Sequence, residues 1–146
     1  MKYKFAFDIA RDLADLASKR LKEDRVFIKK MILLPVPSHP LRKNWRGFNQ
    51  AEAVGKALAR AMGWGYEPDL LLKLRPTVAQ TELRRDARLI NLQNAFSLNP
   101  ATSIPKKTVI LFDDIWTTGS TLKEACKALK QAGAKRVWGL TLAKTH

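Results

Sequence analysis

A single cysteine, Cys126, is all the thiol chemistry this chain of 146 residues carries. One cysteine excludes an internal disulfide and a cysteine-built zinc site. Histidine is almost as scarce, with only His39 and the terminal His146, too few ligands for a histidine-rich metal centre. Any metal must then be a hard ion held by oxygen, beside a phosphate ligand. Long apolar runs are missing as well: stretches such as Met31 to Leu34 and Val109 to Phe112 fall far short of the ~18 residues that cross a bilayer. Met1 is followed by Lys2, Tyr3 and Lys4, then Asp8, Arg11 and Asp12, so no signal-peptide stretch reads there and the cytoplasm is the expected location. Acids are few: Asp and Glu number 13 against 27 Lys and Arg, a formal net charge of +14. That excess points to an anionic partner, a phosphorylated metabolite, nucleic acid or both. A solvated lysine-rich surface gives the same number, so charge alone does not choose.

What is present is a globular composition, 46% hydrophobic with 4 Trp, 2 Tyr and 6 Phe. The length fits one domain over residues 1–146, without repeats or a Gly/Ser linker. Ile9, Leu13, Leu16, Ala17 and Leu21 recur at helical spacing and are expected to form one buried face. Met31 to Leu34 reads as a strand stopped by Pro35-Val36-Pro37. A second helix begins at Asn49, which has capping-box spacing to Glu52, and ends at Gly63. Leu70 to Leu74 is a short candidate strand, and Arg75 to Asn94 a basic loop followed by a short helix. Lys107 to Phe112 is a clear strand with Asp113-Asp114 at its carboxyl end. Ser120 or Thr121 then caps a third helix with an inner face of Leu122, Ala125, Cys126, Leu129 and Ala132, closed by Gly133; Arg136 to Leu142 is the last strand. Alternating strands and helices predict an α/β fold, a parallel twisted sheet with helices on both faces. In such sheets ligands bind at the carboxyl ends of strands. Three loops therefore matter: Pro35 to Gly47, Arg75 to Asn94 and Asp113 to Thr121.

The last of these carries the most chemistry. A helix start offers unpaired N–H groups and the positive end of the macrodipole, a ready phosphate site. Gly119 permits φ > 0 or close backbone approach, and Thr117, Thr118, Ser120 and Thr121 add four hydroxyls. Asp113 and Asp114 repel a phosphate but accept hydrogen bonds from sugar hydroxyls and help hold a Mg²⁺ that a ligand brings. One loop thus suits both parts of a sugar phosphate. An ordinary strand end and helix cap needs one such residue, not six. The Gly-Lys-Ser/Thr ending of a Walker loop and the Gly-x-Gly-x-x-Gly of a dinucleotide fold are both absent.

Val109 to Asp114 followed by Thr117-Thr118-Gly119-Ser120-Thr121 resembles the phosphoribosyl pyrophosphate (PRPP) signature of type I phosphoribosyltransferases. Within that superfamily the best match is the ComF (competence protein F) branch. Pro35-Val36-Pro37 and Arg46-Gly47-Phe48-Asn49-Gln50-Ala51 resemble its first block; Arg75, Thr77, Gln80, Leu83, Arg88, Asn91, Ala95 and Phe96 resemble its middle block. The resemblance implies that Asp113 and Asp114 face the ribose hydroxyls of PRPP, that Thr117, Thr118, Gly119, Ser120 and Thr121 wrap its 5′-phosphate, and that Mg²⁺ arrives with the ligand. Val36, Pro37 and Ser38 would lie at the pyrophosphate loop, and Arg75, Arg84, Arg85 and Arg88 on a flap that meets pyrophosphate. Transfer of phosphoribose to an acceptor is the implied activity; a non-catalytic module that binds single-stranded DNA during competence is the alternative. ComF-like chains usually begin with a four-cysteine zinc module, whereas this one starts near the family's "LKY" segment at Lys2-Tyr3-Lys4, so a separate zinc-module or DNA-uptake protein is an expected partner.

Arg42, Lys43, Trp45 and Arg46 interleave cations with an aromatic, which suits single-stranded DNA, while Phe48 reads as a hydrophobic staple. Trp45 fits stacking or packing equally. Trp116 either covers the sugar or docks on the sheet, with the first expected. Cys126 reads as core, and His39, with no acid partner, is not a catalytic candidate.

Overall fold

The computed structural model describes residues 2–24, 30–38, 49–74 and 94–145, with side chains from residue 8 onward in the first stretch. In chain order the elements are α1 (Lys2–Lys22), β1 (Ile32–Pro35), α2 (Gln50–Met62), β2 (Gly65–Tyr66), β3 (Leu71–Lys73), β4 (Phe96–Leu98), β5 (Val109–Trp116), α3 (Ser120–Gln131) and β6 (Val137–Lys144). Four strands form a sheet in the order β2-β1-β5-β6, with every neighbouring pair parallel.

Apolar runs build this sheet because both of its faces are covered. Side chains alternate: Leu34, Val109 and Leu111 join the core under α3, while Leu33, Ile110 and Phe112 join the core under α1 and α2. Leu33, Leu34, Ile110, Leu111 and Phe112 are fully buried. Each such side chain contributes about 1.5–3 kcal/mol through lost apolar hydration. The expected two-faced α/β sheet is therefore present.

Its details depart from the sequence reading in four places. From residue 8 onward the buried stripe of α1 is Ala10, Ala14 and Ser18, flanked by half-buried Ala17 and Leu21, whereas Ile9, Leu13 and Leu16 are exposed. Small side chains let α1 lie close to α2, and packing distance outweighs bulk in choosing the face. The Leu70 to Leu74 run does form a strand, β3, but it pairs antiparallel with β4 in a separate two-stranded sheet. That pair packs over the α3 side of the core through Leu71 and Phe96. Strands β2 and β4, two and three residues long, carried too little periodicity to be expected. Finally, β5 continues through Asp113 and Asp114 to Trp116, because β6 follows it as far as Lys144.

Candidate functional site

The site is built where β1 ends against the middle of β5. Pro35 stands opposite Phe112 in the parallel register, and the Val36 amide donates to the Phe112 carbonyl at 2.7 Å. This pairing carries Val36, Pro37 and Ser38 off the sheet beside Asp113 and Asp114, although 75 residues separate Ser38 from Asp113 in sequence. Helix α2 starts at the same edge. Asn49 caps it by accepting from the Ala51 amide at 3.0 Å, and its Nδ2 donates to the Val36 carbonyl at 3.2 Å, fastening the loop after β1 to the helix. Glu52, at the capping-box position, accepts from the Asn49 side chain at 3.4 Å. Gly63 ends α2 at φ 68, in the left-handed conformation anticipated for it.

Both aspartates are half-buried at the strand end. Burial pushes the Asp113 carboxyl up to about 7, and the hydrogen bond and charge of neighbouring Asp114 push the same way. The Asp114 amide, donating to Asp113 Oδ1 at 3.0 Å, and the ammonium of Lys73 oppose that rise without cancelling it. Lys73 belongs to β3, and nothing in its sequence context marked it as a neighbour of the acidic pair. The Asn49 link to Val36 was equally invisible, because a capping residue shows only its local role in sequence.

After Trp116 the chain turns through Thr117, Thr118 and Gly119 into α3. Gly119, at φ 75, is the N-cap, so the helix starts one residue earlier than a Ser120 cap would have it and two earlier than a Thr121 cap, and the cap itself has no side chain. Thr118 Oγ1 lies 2.7 Å from Ser120 Oγ and accepts from the Ser120 amide at 3.3 Å, which holds two hydroxyls together at the helix start. Thr121 is half-buried in the first turn of α3, and Thr117 is exposed at the rim. The Trp116 indole lies flat against Gly119: an added Cβ there would stand 2.6 Å from Cη2 of the ring. Trp116 also packs on the α3 side of the core, so the ring docks on the sheet. Cys126 packs there too, partly buried as expected for a core thiol.

The structure thus brings Val36, Pro37, Ser38, Asp113, Asp114 and the Thr117 to Thr121 turn to one edge. Ser38 Oγ is buried and has no hydrogen-bond partner among the described residues. Buried hydroxyls are rarely left unpaired, and this one sits in the loop that follows β1. His39, Arg42, Lys43, Trp45, Arg46 and Phe48, together with Arg75, Arg84, Arg85 and Arg88, lie outside the described residues. Two adjacent carboxylates suit a divalent ion that shares its coordination with phosphate oxygens, and no cluster of three acid, histidine or cysteine ligands occurs among the described residues.

A parallel sheet wound on both faces, with an acidic strand end feeding a glycine-turned helix start, defines a phosphoribosyltransferase-like α/β protein. Glutamine PRPP amidotransferase from B. subtilis superposes with a TM-score of 0.55 at 18% identity, covering 91% of this chain and 26% of that one. A hypoxanthine phosphoribosyltransferase from Staphylococcus aureus gives 0.53 at 14% identity, covering 95% and 65%. These likenesses establish the fold. The chain belongs to the phosphoribosyl transferase domain family, whose pattern matches residues 48–145, and within the type I superfamily to its ComF branch. Competence protein F of Haemophilus influenzae is 37% identical over 114 residues, 76% of this chain and 50% of that protein. Competence protein ComFC of Streptococcus pneumoniae is 34% identical over 145 residues, 98% of this chain and 60% of its own length. The chain therefore spans about half to two thirds of the length of the curated relatives it matches.

Proposed function

We propose that the protein binds PRPP where β1 ends beside the Asp113-Asp114 stretch of β5 and transfers phosphoribose to a nucleophilic acceptor. The observation that carries this reading is the adjacency of the Asp113-Asp114 pair, the Gly119-centred turn and the orphan hydroxyl of Ser38 at one sheet edge. The carboxylates accept from the ribose 2′ and 3′ hydroxyls. The Thr117 to Thr121 turn takes the 5′-phosphate on backbone N–H groups and the positive end of α3. Val36, Pro37 and Ser38 border the pyrophosphate, and Arg75, Arg84, Arg85 and Arg88 supply cations to it. Asp113 and Asp114 would help hold a Mg²⁺ carried in with PRPP, which would supply positive charge beside the leaving pyrophosphate. Transfer forms a bond from an acceptor lone pair to ribose C1, breaks the C1–oxygen bond and releases pyrophosphate, while the acceptor gives up a proton. The protein's part is positioning and electrostatic stabilisation of the departing phosphates.

Calorimetry with PRPP and Mg²⁺ tests the ligand, and release of labelled pyrophosphate in the presence of bases and amines tests the transfer. Asp113→Asn combined with Asp114→Asn removes the carboxylate acceptors, and the loss of even one charged hydrogen bond, worth about 1.5–3 kcal/mol, lowers affinity by roughly tenfold to a hundredfold. Undiminished binding in that double variant defeats the ligand assignment.

A second reading keeps the same fold as a non-catalytic module that binds single-stranded DNA. Its support is the +14 charge, together with relatives that bear the name DNA utilization protein, 29% identical over 150 residues in Escherichia coli.

A further inference from the structure

Between α3 and β6, on the side of the sheet that α3 covers, lies a groove of about 380 Å³. Its floor is apolar: Leu111 and Val137 from the strands, Leu122 and Cys126 from the helix, and the Trp116 indole at one end. Lys123, Lys127 and Lys130 stand along its rim, spaced so that one helical stripe brings all three to the same side. Lys130 donates to the Lys135 carbonyl at 2.6 Å, which fixes one ammonium at the far end. Lys123 and Lys127 are exposed, and neither ion pair formed among the described residues involves α3.

We propose that this groove binds a small amphipathic anion, an aromatic or acyl body with a carboxylate, sulfonate or phosphate head. A dry floor receives the body and two unneutralised ammoniums receive the head. The volume lies in the range of small-molecule pockets, and an apolar surface with a few convergent charges is the usual make-up of such sites. A second copy of this chain suits the groove poorly, because each copy carries +14. The site stands apart from the PRPP reading and does not depend on it.

Gly139 gives a steric probe. It lines the groove, and an added Cβ there would meet nothing closer than Leu122 Cδ1 at 3.6 Å, so a side chain fills the space without disturbing the core. The probe ligand is 8-anilinonaphthalene-1-sulfonate, followed by its fluorescence, with uncharged N-phenyl-1-naphthylamine as control. The sulfonate is expected to bind the wild-type protein at one site. Lys123→Glu with Lys127→Glu should weaken it about tenfold, the equivalent of two lost charge contacts of modest strength. Gly139→Val should abolish that site, and the uncharged control should bind at least fivefold more weakly. Thermal unfolding of both variants confirms that they remain folded. Equal sulfonate binding in wild type and both variants, or equal affinity for the uncharged control, overturns the proposal.

Discussion

Asp113 holds a proton that a solvated aspartate would release, because its carboxyl is buried against Asp114 at the end of β5. Its folded-state pKa of about 7 lies above the 3.8 of an ordinary aspartate, so between those values the folded protein binds more protons than the unfolded chain. Stability therefore falls as pH rises through that window, by about 2 kcal/mol once solvent screening is allowed for. Urea titrations at pH 5 and pH 8 should show the decline, and Asp113→Asn should flatten it; a wild-type profile matching the variant's would place Asp113 in a more solvated setting. Gly119 makes the second residue-scale prediction. Its left-handed φ costs a side-chain-bearing residue about 1–2 kcal/mol, and a methyl group there meets the Trp116 ring. Gly119→Ala should lower stability by roughly 2–4 kcal/mol, read as a drop in Tm. Combining it with Trp116→Ala should relieve part of the Gly119→Ala penalty, which a double-mutant cycle will show as coupling.

Among the elements, α2 has the most consequential end, because one side chain caps the helix and ties down the loop after β1. Asn49→Ala removes both contacts and should cost about 1–2 kcal/mol by chemical denaturation. Asn49→Ser restores a capping acceptor and should recover most of that loss; a variant as unstable as Asn49→Ala would mean the Val36 tether matters more than the cap. How far the elements were legible follows from how local their signals are. Asn49, Gly63 and the β5 run announced themselves because caps, left-handed stops and continuous apolar stretches act over a few residues. The turn into α3 was legible in composition but not in detail, since a glycine cap leaves no side-chain signal. The buried face of α1 was misread, since Ala10 and Ala14 are chosen by the proximity of α2, a partner about 40 residues away in sequence. Strand β4 pairs with β3 across a long insertion, and no three-residue window records such a pairing.

At the scale of the whole molecule, charge dominates. An excess of 14 positive charges draws polyanions regardless of which site holds them. If single-stranded DNA is the partner, its affinity should fall steeply with salt, and Arg42→Ala should reduce the slope of log K against log salt by about 0.7. Trp45→Ala should weaken binding while leaving that slope unchanged, because stacking releases no counterions. Fluorescence anisotropy with a labelled oligothymidylate measures both. A slope near zero in the wild-type protein would remove the DNA reading. The site itself was legible as two sets of residues, Val36 to Ser38 and Asp113 to Thr121, whereas Lys73, on the separate β3-β4 pair, gave no sign in sequence of lying near Asp113.

That order has a practical corollary for anyone who trims this gene. The family pattern spans residues 48–145, yet β1 ends at Pro35 and is threaded between β2 and β5. A piece cut at the pattern's own borders would lose an inner plank of the sheet, strand β2 from its neighbour and uncover Ile110 and Phe112. The borders of ancestral similarity and the borders of a chain able to stand alone are, in this molecule, different lines.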